Sequence, residues 1–223
     1  MEESRRPIGR AELPNFGPPS TPRAAAAIIL LRRGGRHSER ALQLLMLKRS
    51  EEAKFMPGVW VFPGGSVDRA DGEDEAGHRA CAVRELSEEA GIDLPPDEEL
   101  VLFPRWVTPE VVATRFDAWF FLALAPAHTP PRADGVETID AAWFEPARAL
   151  EMQEADELRL SFPTIQQLRW LSAFATADEA LAAYRGRDVA SVTPRVVRDG
   201  DSHRIVLPGE PGYDDADPVE TER

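Results

Sequence analysis

The sequence predicts an α/β fold in one domain. Three observations lead there. Apolar runs of strand length are bounded by glycine, proline or charge, helical patterns fall between them, and no second composition regime appears along the 223 residues. That length leaves room for a full core, and 43% hydrophobic with 29% charged residues is ordinary for a globular protein. The formal net charge of −13 opposes binding to nucleic-acid backbones and to anionic membrane surfaces. An anionic substrate would therefore need local positive charge from metal, Arg or Lys. The single cysteine, Cys81, excludes an internal disulfide and fits a reducing cytoplasm.

Residues 1–22 carry Pro7, Pro14, Pro18, Pro19 and Pro22 without apolar periodicity, so they read as a flexible arm lacking the apolar centre of a signal peptide. The run 24–31 is too short to span a bilayer and is closed by Arg32-Arg33; it reads as a central strand, with a turn at Gly34-Gly35. A second strand over 41–47 ends in Lys48-Arg49, two bases that either reach substrate phosphates or keep an edge soluble. Residues 59–62 form a short buried strand, which Pro63-Gly64-Gly65 breaks. Further strands are expected over 100–107, 116–124 and 141–144. Arg115, at the mouth of one of them, is either a phosphate partner or a surface ion-pair residue. Helices over 147–152, 162–174 and 177–184 carry apolar positions for packing. Segments 189–197 and 203–207 flank Asp199-Gly200 as a hairpin, which covers the site or pairs with a second subunit, leaving a homodimer open. The folded domain is thus 23–207, followed by a mobile acidic tail, 208–223.

The stretch from Gly64 to Ile92 organises the rest. Glu85, Glu88 and Glu89 stand at helical neighbour spacing and should point the same way. Ala76, Ala80, Ala82, Val83, Leu86 and Ala90 gather on the other side, so one face can be buried while the other presents acid. Gly91 follows as a C-cap, and Pro95-Pro96 stop any continuation. Like charges this close repel, and a hard divalent cation with oxygen ligands offsets the cost. Arg84 sits beside the cluster and can hold one carboxylate in a bidentate pair. The plain alternative is a solvated acidic helix face. Cys81 falls on the acidic side of the wheel and reads as a small packing residue, since sulfur is a poor ligand for hard metals.

The order of strand, glycine turn, acidic loop and acid-bearing helix suits a metal-bound diphosphate held against a helix. The segments Phe62-Pro63-Gly64-Gly65, Gly72-Glu73 and Arg84-Glu85-Leu86-x-Glu88-Glu89-x-Gly91-Ile92 resemble the signature box of the Nudix hydrolases. The resemblance implies an α/β/α sandwich around a mixed sheet. There is one departure. By the family's spacing, counting back from Arg84 puts Ala76 where the first box glutamate stands and Ala70 where the glycine stands. The linker after Gly65 is therefore longer, and Glu73 or Glu75 must supply the carboxylate that supports the box arginine.

The resemblance also implies the chemistry. Glu85, Glu88 and Glu89 hold Mg²⁺ or Mn²⁺, with backbone of the Gly65 region as a further ligand. Arg84 organises the cluster, and Glu137, a glutamate outside the box before Trp143, is a metal ligand or proton acceptor. Gly64, Gly65, Arg49 and Arg115 are the candidate substrate-contacting positions, the two arginines with the alternatives given above. Lys48-Arg49, Phe55-Met56-Pro57-Gly58, the lengthened box loop, Trp106-x-Thr108-Pro109 and Arg115-Phe116-Asp117 together resemble the coenzyme A diphosphatase branch. The expected activity is hydrolysis of the diphosphate linkage in a nucleoside diphosphate derivative, with coenzyme A or acyl-coenzyme A favoured. The alternatives are an ADP-ribose or dinucleotide pyrophosphatase, and a nucleotide-binding regulator without turnover.

Overall fold

A computed structural model of the chain describes residues 20–33, 41–72, 74–127, 130–199, 202–214. The proline-rich stretch 1–19, the Gly34-Gly35 turn, Glu73, the Asp199-Gly200 turn at Gly200 and the tail from 215 lie outside the described residues.

The strands are β1 (Arg23–Arg33), β2 (Leu42–Arg49), β3 (Trp60–Val61), β4 (Gly64–Ser66), β5 (Val101–Val107), β6 (Phe116–Leu124), β7 (Thr138–Phe144), β8 (Arg195–Asp199) and β9 (Ser202–Val206). The helices are α1 (Glu75–Ala90), α2 (Pro146–Glu154), α3 (Phe162–Leu171) and α4 (Ala177–Tyr184). Seven strands share one sheet in the order β3-β2-β1-β6-β5, with β4 paired to β1 and β7 to β2. The α/β class expected from the sequence is what forms.

Compactness divides the chain into two units. One comprises 25–103 and 119–189; the other comprises the described parts of 1–24, 104–118 and 190–223. In the first, β1 buries Ile28 and Leu30 alternately with Ile29 and Leu31, all fully. Successive strand residues face opposite sides of a sheet, so both faces are covered. On one face Ala26, Ile28, Leu30, Leu45 and Leu47 pack with Cys81, Ala82, Leu86 and Ala90 of α1. On β2, Leu44 and Met46 are equally buried. The segment before α3 joins the sheet through a parallel bridge from Trp60 to Leu160. The second unit contains the β8–β9 hairpin and the Arg105–Asp117 ion pair. Tyr213 there donates its hydroxyl proton to Thr193 O at 2.8 Å, so residues 208–214 carry turns.

Two elements differ from the sequence reading. The strand expected over 59–62 is reduced to Trp60–Val61. Gly64-Gly65, expected as a turn, belongs instead to β4 and pairs antiparallel with β1, Gly64 opposite Ala27 and Gly65 opposite Ala26. Close approach is the reason for glycine here. A Cβ at Gly64 would lie 2.5 Å from Ala26 O.

Candidate active site

The helix α1 begins at Asp74, whose side chain accepts from Gly77 N–H at 2.9 Å, and ends at Gly91 in the left-handed region (φ 63°). Its caps match its sequence. Its buried arc does not run through Ala76 and Ala80, which are exposed, but through Gly77, His78, Cys81, Ala82, Leu86, Glu89 and Ala90. At ~100° per residue, that arc overlaps the acidic edge of the wheel. The three glutamates therefore meet different surroundings. Glu89 is 5% exposed, Glu85 is half-buried and Glu88 is exposed.

Each acid has a defined hold. Gly64 N–H donates to Glu89 Oε2 at 2.9 Å, which ties the β4 backbone to the helix. Burial pushes the Glu89 carboxyl up from 4.5 to about 7 despite that bond, and the Glu85 and Glu137 charges add to the rise. Burial also raises Glu85, against the Arg84 hydrogen bond, with Glu88 and Glu137 pushing the same way as burial. Glu85 is thus within electrostatic reach of Glu88, Glu89 and Glu137, and Glu89 of Glu85 and Glu137. A Cβ at Gly65 would collide with the Glu85 carboxylate, so the missing side chain is the space that carboxylate occupies.

Arg84 is shared. Its Nη1 donates to Glu85 at 2.9 Å and to Glu88 at 3.1 Å, while Nη2 and Nε donate to the two oxygens of Asp71 at 2.9 and 3.2 Å. Among the described residues the carboxylate that supports the arginine is Asp71; of the two acids the sequence reading offered, Glu73 lies outside the described residues. Glu75 instead pairs with Arg79 at 2.6 Å within the helix. The lengthened linker folds as a turn, Asp71 N–H to Asp68 O at 3.0 Å, and carries Asp71 to the arginine.

The Glu137 loop is built by Asp134, whose carboxylate accepts from the backbone N–H groups of Val136, Glu137 and Thr138. Those bonds hold Asp134 below the usual carboxylate range against the opposing effect of its burial. Thr138, fully buried, donates from its hydroxyl to Glu89 O at 3.3 Å. In the β2–β7 ladder Arg49 lies opposite Thr138, with a register shift beside it, and Ser50 N–H donates to Glu137 O at 2.8 Å. Arg49 reaches Glu89 electrostatically, holding its carboxyl down, while its Nε donates to Phe55 O at 3.0 Å. Lys48 turns to Glu51 at 3.2 Å. The unit spanning 25–103 and 119–189 thus gathers Glu85, Glu88, Glu89, Arg84, Gly64, Gly65, Arg49 and Glu137. Arg115 lies in the other unit, 8% exposed, with Nε on Thr108 O at 3.1 Å and Nη1 on Ser20 O at 2.6 Å. Its burial sets aside the surface ion-pair alternative.

A sequence profile described as the NUDIX domain matches residues 21–168, well over half of the chain. The chain belongs to the Nudix family. The family acts on phosphorus-containing acid anhydrides as hydrolases and generally uses divalent metal ions. A Caenorhabditis elegans protein that bears a nudix hydrolase name is 29% identical over 67% of this chain and 60% of its own length. The human acyl-coenzyme A diphosphatase NUDT19 is 24% identical, with 80% of this chain and 74% of that one covered. The match thus spans about three-fifths to three-quarters of these relatives. A NUDIX hydrolase structure from Alicyclobacillus acidocaldarius superposes with a TM-score of 0.64 at 24% identity, covering 76% of this chain and 99% of that one.

The Nudix residues here fit a hard divalent cation in their chemistry. The donors are carboxylate oxygens and glycine backbone, and two of the acids are desolvated and mutually repelling, which a cation relieves. Among the described residues no three His, Cys, Asp or Glu side chains converge into a ready-formed cage, and Arg84 takes oxygens of Glu85 and Glu88. Cys81 is fully buried with Sγ 3.4 Å from Ser66 O, and burial pushes its thiol up to about 12, so it packs as a small apolar group. The residues the sequence reading missed are Asp71 and Asp134. Each precedes a glycine in an Asp-Gly pair, and that turn signal could have found them.

Proposed function

We propose that this Nudix chain hydrolyses the diphosphate linkage of a nucleoside diphosphate derivative, with coenzyme A or acyl-coenzyme A as the favoured substrate. The observation that carries the reading is the placing of Glu89 on Gly64 N–H and of Glu85 in the space beside Gly65, with Glu88 and Glu137 within electrostatic reach of Glu85 and Arg49 within electrostatic reach of Glu89. Glu85, Glu88 and Glu89, with backbone of Gly65, would hold Mg²⁺ or Mn²⁺. When bound, such an ion neutralises diphosphate charge and acidifies a water. Arg84 fixes the directions of Glu85 and Glu88, Glu89 presents an oxygen beside the β4 backbone, and Arg49 binds a substrate phosphate. Glu137, steadied by Asp134, accepts the proton of the attacking water. The products are two phosphomonoesters.

Two observations support the coenzyme A preference. The human relative is named an acyl-coenzyme A diphosphatase and its match covers most of both chains. Phe55, Val136 and Ile139 are exposed large apolar side chains. They stand on or beside the two segments joined by the Ser50–Glu137 bond, where they offer apolar contact to the non-phosphate part of a substrate.

The test is incubation with Mg²⁺ and coenzyme A, an acyl-coenzyme A, ADP-ribose or a dinucleoside polyphosphate, with products read by mass spectrometry. Phosphomonoesters from the coenzyme A arms support the reading. Products only from the other arms overturn the preference, and none from any arm favours a regulator. Glu88→Gln and Glu89→Gln should each lower kcat by about 10²–10⁴-fold while the chain stays folded. Near-normal turnover in both variants removes these acids from the chemistry.

A further inference from the structure

We propose that Arg159 is a specificity-determining residue that takes a second phosphate of the substrate, a phosphomonoester one sugar ring away from the diphosphate. This subsite belongs to the hydrolase reading of the chain and rests on it. A chain of net charge −13 repels a polyanion unless cations stand where it docks. In the unit of 25–103 and 119–189, Arg33, Arg79, Arg148 and Arg185 are spent on carboxylates. Arg159 is exposed, and its guanidinium has no hydrogen-bond or ion-pair partner among the described residues.

The backbone around Arg159 is held on both sides. Leu158 and Leu160 are buried, so the alternation of an extended segment turns Arg159 outward. Asp156 reverses the chain after α2 from the left-handed region (φ 56°), which aspartate tolerates better than most residues. The N–H groups of Glu157 and Leu158 both donate to Met152 O, at 2.9 and 3.2 Å. Trp60 N–H donates to Arg159 O at 2.9 Å, beside the parallel bridge from Trp60 to Leu160. The segment thus adds an edge to the sheet, and a side chain on a pinned edge is aimed better than one on a free loop.

Register sets where that edge points. Leu47 and Lys48 of β2 pair with Val61 and Trp60 of β3, and one step on, Arg49 N–H donates to Val59 O at 3.0 Å. The bridge from Trp60 to Leu160 aligns Val59 with Arg159 by the same step. Arg49, Val59 and Arg159 therefore form one row across three adjacent segments, on the face opposite Trp60 and Leu160. Leu47 alternates onto that face and packs with α1, so the row lies on the side of the sheet that carries the glutamates. Arg49 is within electrostatic reach of Glu89 and spends only Nε, on Phe55 O. Two strand spacings, roughly 10 Å, separate the backbones of Arg49 and Arg159. Two guanidiniums so placed, each able to grip a phosphate with two donors, suit two phosphates on one nucleoside: the diphosphate at its 5′ end and a monoester on the ribose. Coenzyme A carries that pair of groups. ADP-ribose and dinucleoside polyphosphates lack the monoester.

The experiment compares coenzyme A with dephospho-coenzyme A, which lacks only the ribose monoester, on the full chain with Mg²⁺. Arg159→Ala should lower kcat/KM for coenzyme A about 10–50-fold more than for dephospho-coenzyme A, since a hydrogen bond to a charged group is lost from one substrate alone. The loss should lie in KM, and Arg159→Lys should recover part of it by keeping the charge without the fork. Calorimetric titration with adenosine 3′,5′-bisphosphate and with AMP, run without metal, reads the same contact apart from turnover. The wild type should prefer the bisphosphate, and Arg159→Ala should lose that preference. If Arg159→Ala does not fold, Arg159→Gln supplies the comparison. An unchanged ratio between the two coenzymes overturns the subsite and leaves the hydrolase reading standing. A wild type that cleaves neither coenzyme yet prefers the bisphosphate through Arg159 supports the subsite and removes coenzyme A as substrate. A wild type that does neither overturns both.

Discussion

Glu89 is a carboxylate held away from water, and its charge is the costly form of the group. Its folded value is raised from 4.5 to about 7, which corresponds to a penalty on the order of 3 kcal/mol once it is ionised. The sign is that of a raised acid. Stability is fully present below pH 4.5, falls as pH rises toward 7, and is lost above it. Thermal melts of the chelated protein should therefore shift downward between about pH 4.5 and 7, with the effect reversed by Mg²⁺ or Mn²⁺. Glu89→Gln, which keeps an acceptor for Gly64 N–H, should flatten this slope and raise Tm at pH 8. An unchanged slope would mean that Glu89 is not the titrating group. The spacing of Glu85, Glu88 and Glu89 was legible in the sequence, but their unequal burial was not. Alanine sits equally well in a core and on a surface, so Ala76 and Ala80 were expected on an apolar face of which Ala82, Leu86 and Ala90 are buried and they are not. Asp71 escaped notice because counting along the chain fixes a partner's position only when the linker length is fixed.

At the level of elements, β4 is a strand made of Gly64, Gly65 and Ser66, and it works because its two glycines carry no side chain. Gly64 lies against Ala27 of β1, and Gly65 leaves room for the Glu85 carboxylate. Gly64→Ala should cost about 1–3 kcal/mol by overpacking backbone against backbone, and chemical denaturation would read it. Gly65→Ala meets a side-chain end instead, so it should cost less stability and more Mn²⁺ affinity. Equal losses in both readouts for both variants would count against this division. Strand propensity gave no sign of β4, since proline and glycine are the residues that strands avoid. The longer elements were clear because their periodicity is long: β6 and α4 fall on the expected residues, and α1 ends at its glycine. The short ones depend on partners, as Trp60–Val61 does on β2.

At the level of the molecule, every acid of the site belongs to the unit of 25–103 and 119–189, most of which the Nudix profile covers. The other unit holds Arg115 on backbone carbonyls, and Arg115→Ala should act on stability, with a lowered Tm, before it acts on kcat. A fall in kcat with Tm unchanged would return Arg115 to the substrate. One feature of the acid cluster reaches beyond the reaction. Arg84 already stands among four carboxylates as a built-in counter-charge. Folding of the chain should therefore not depend on an added cation: refolding in the presence of a chelator is expected to give a yield close to that in Mg²⁺, and a yield that collapses without the ion would count against the pairing as an internal substitute.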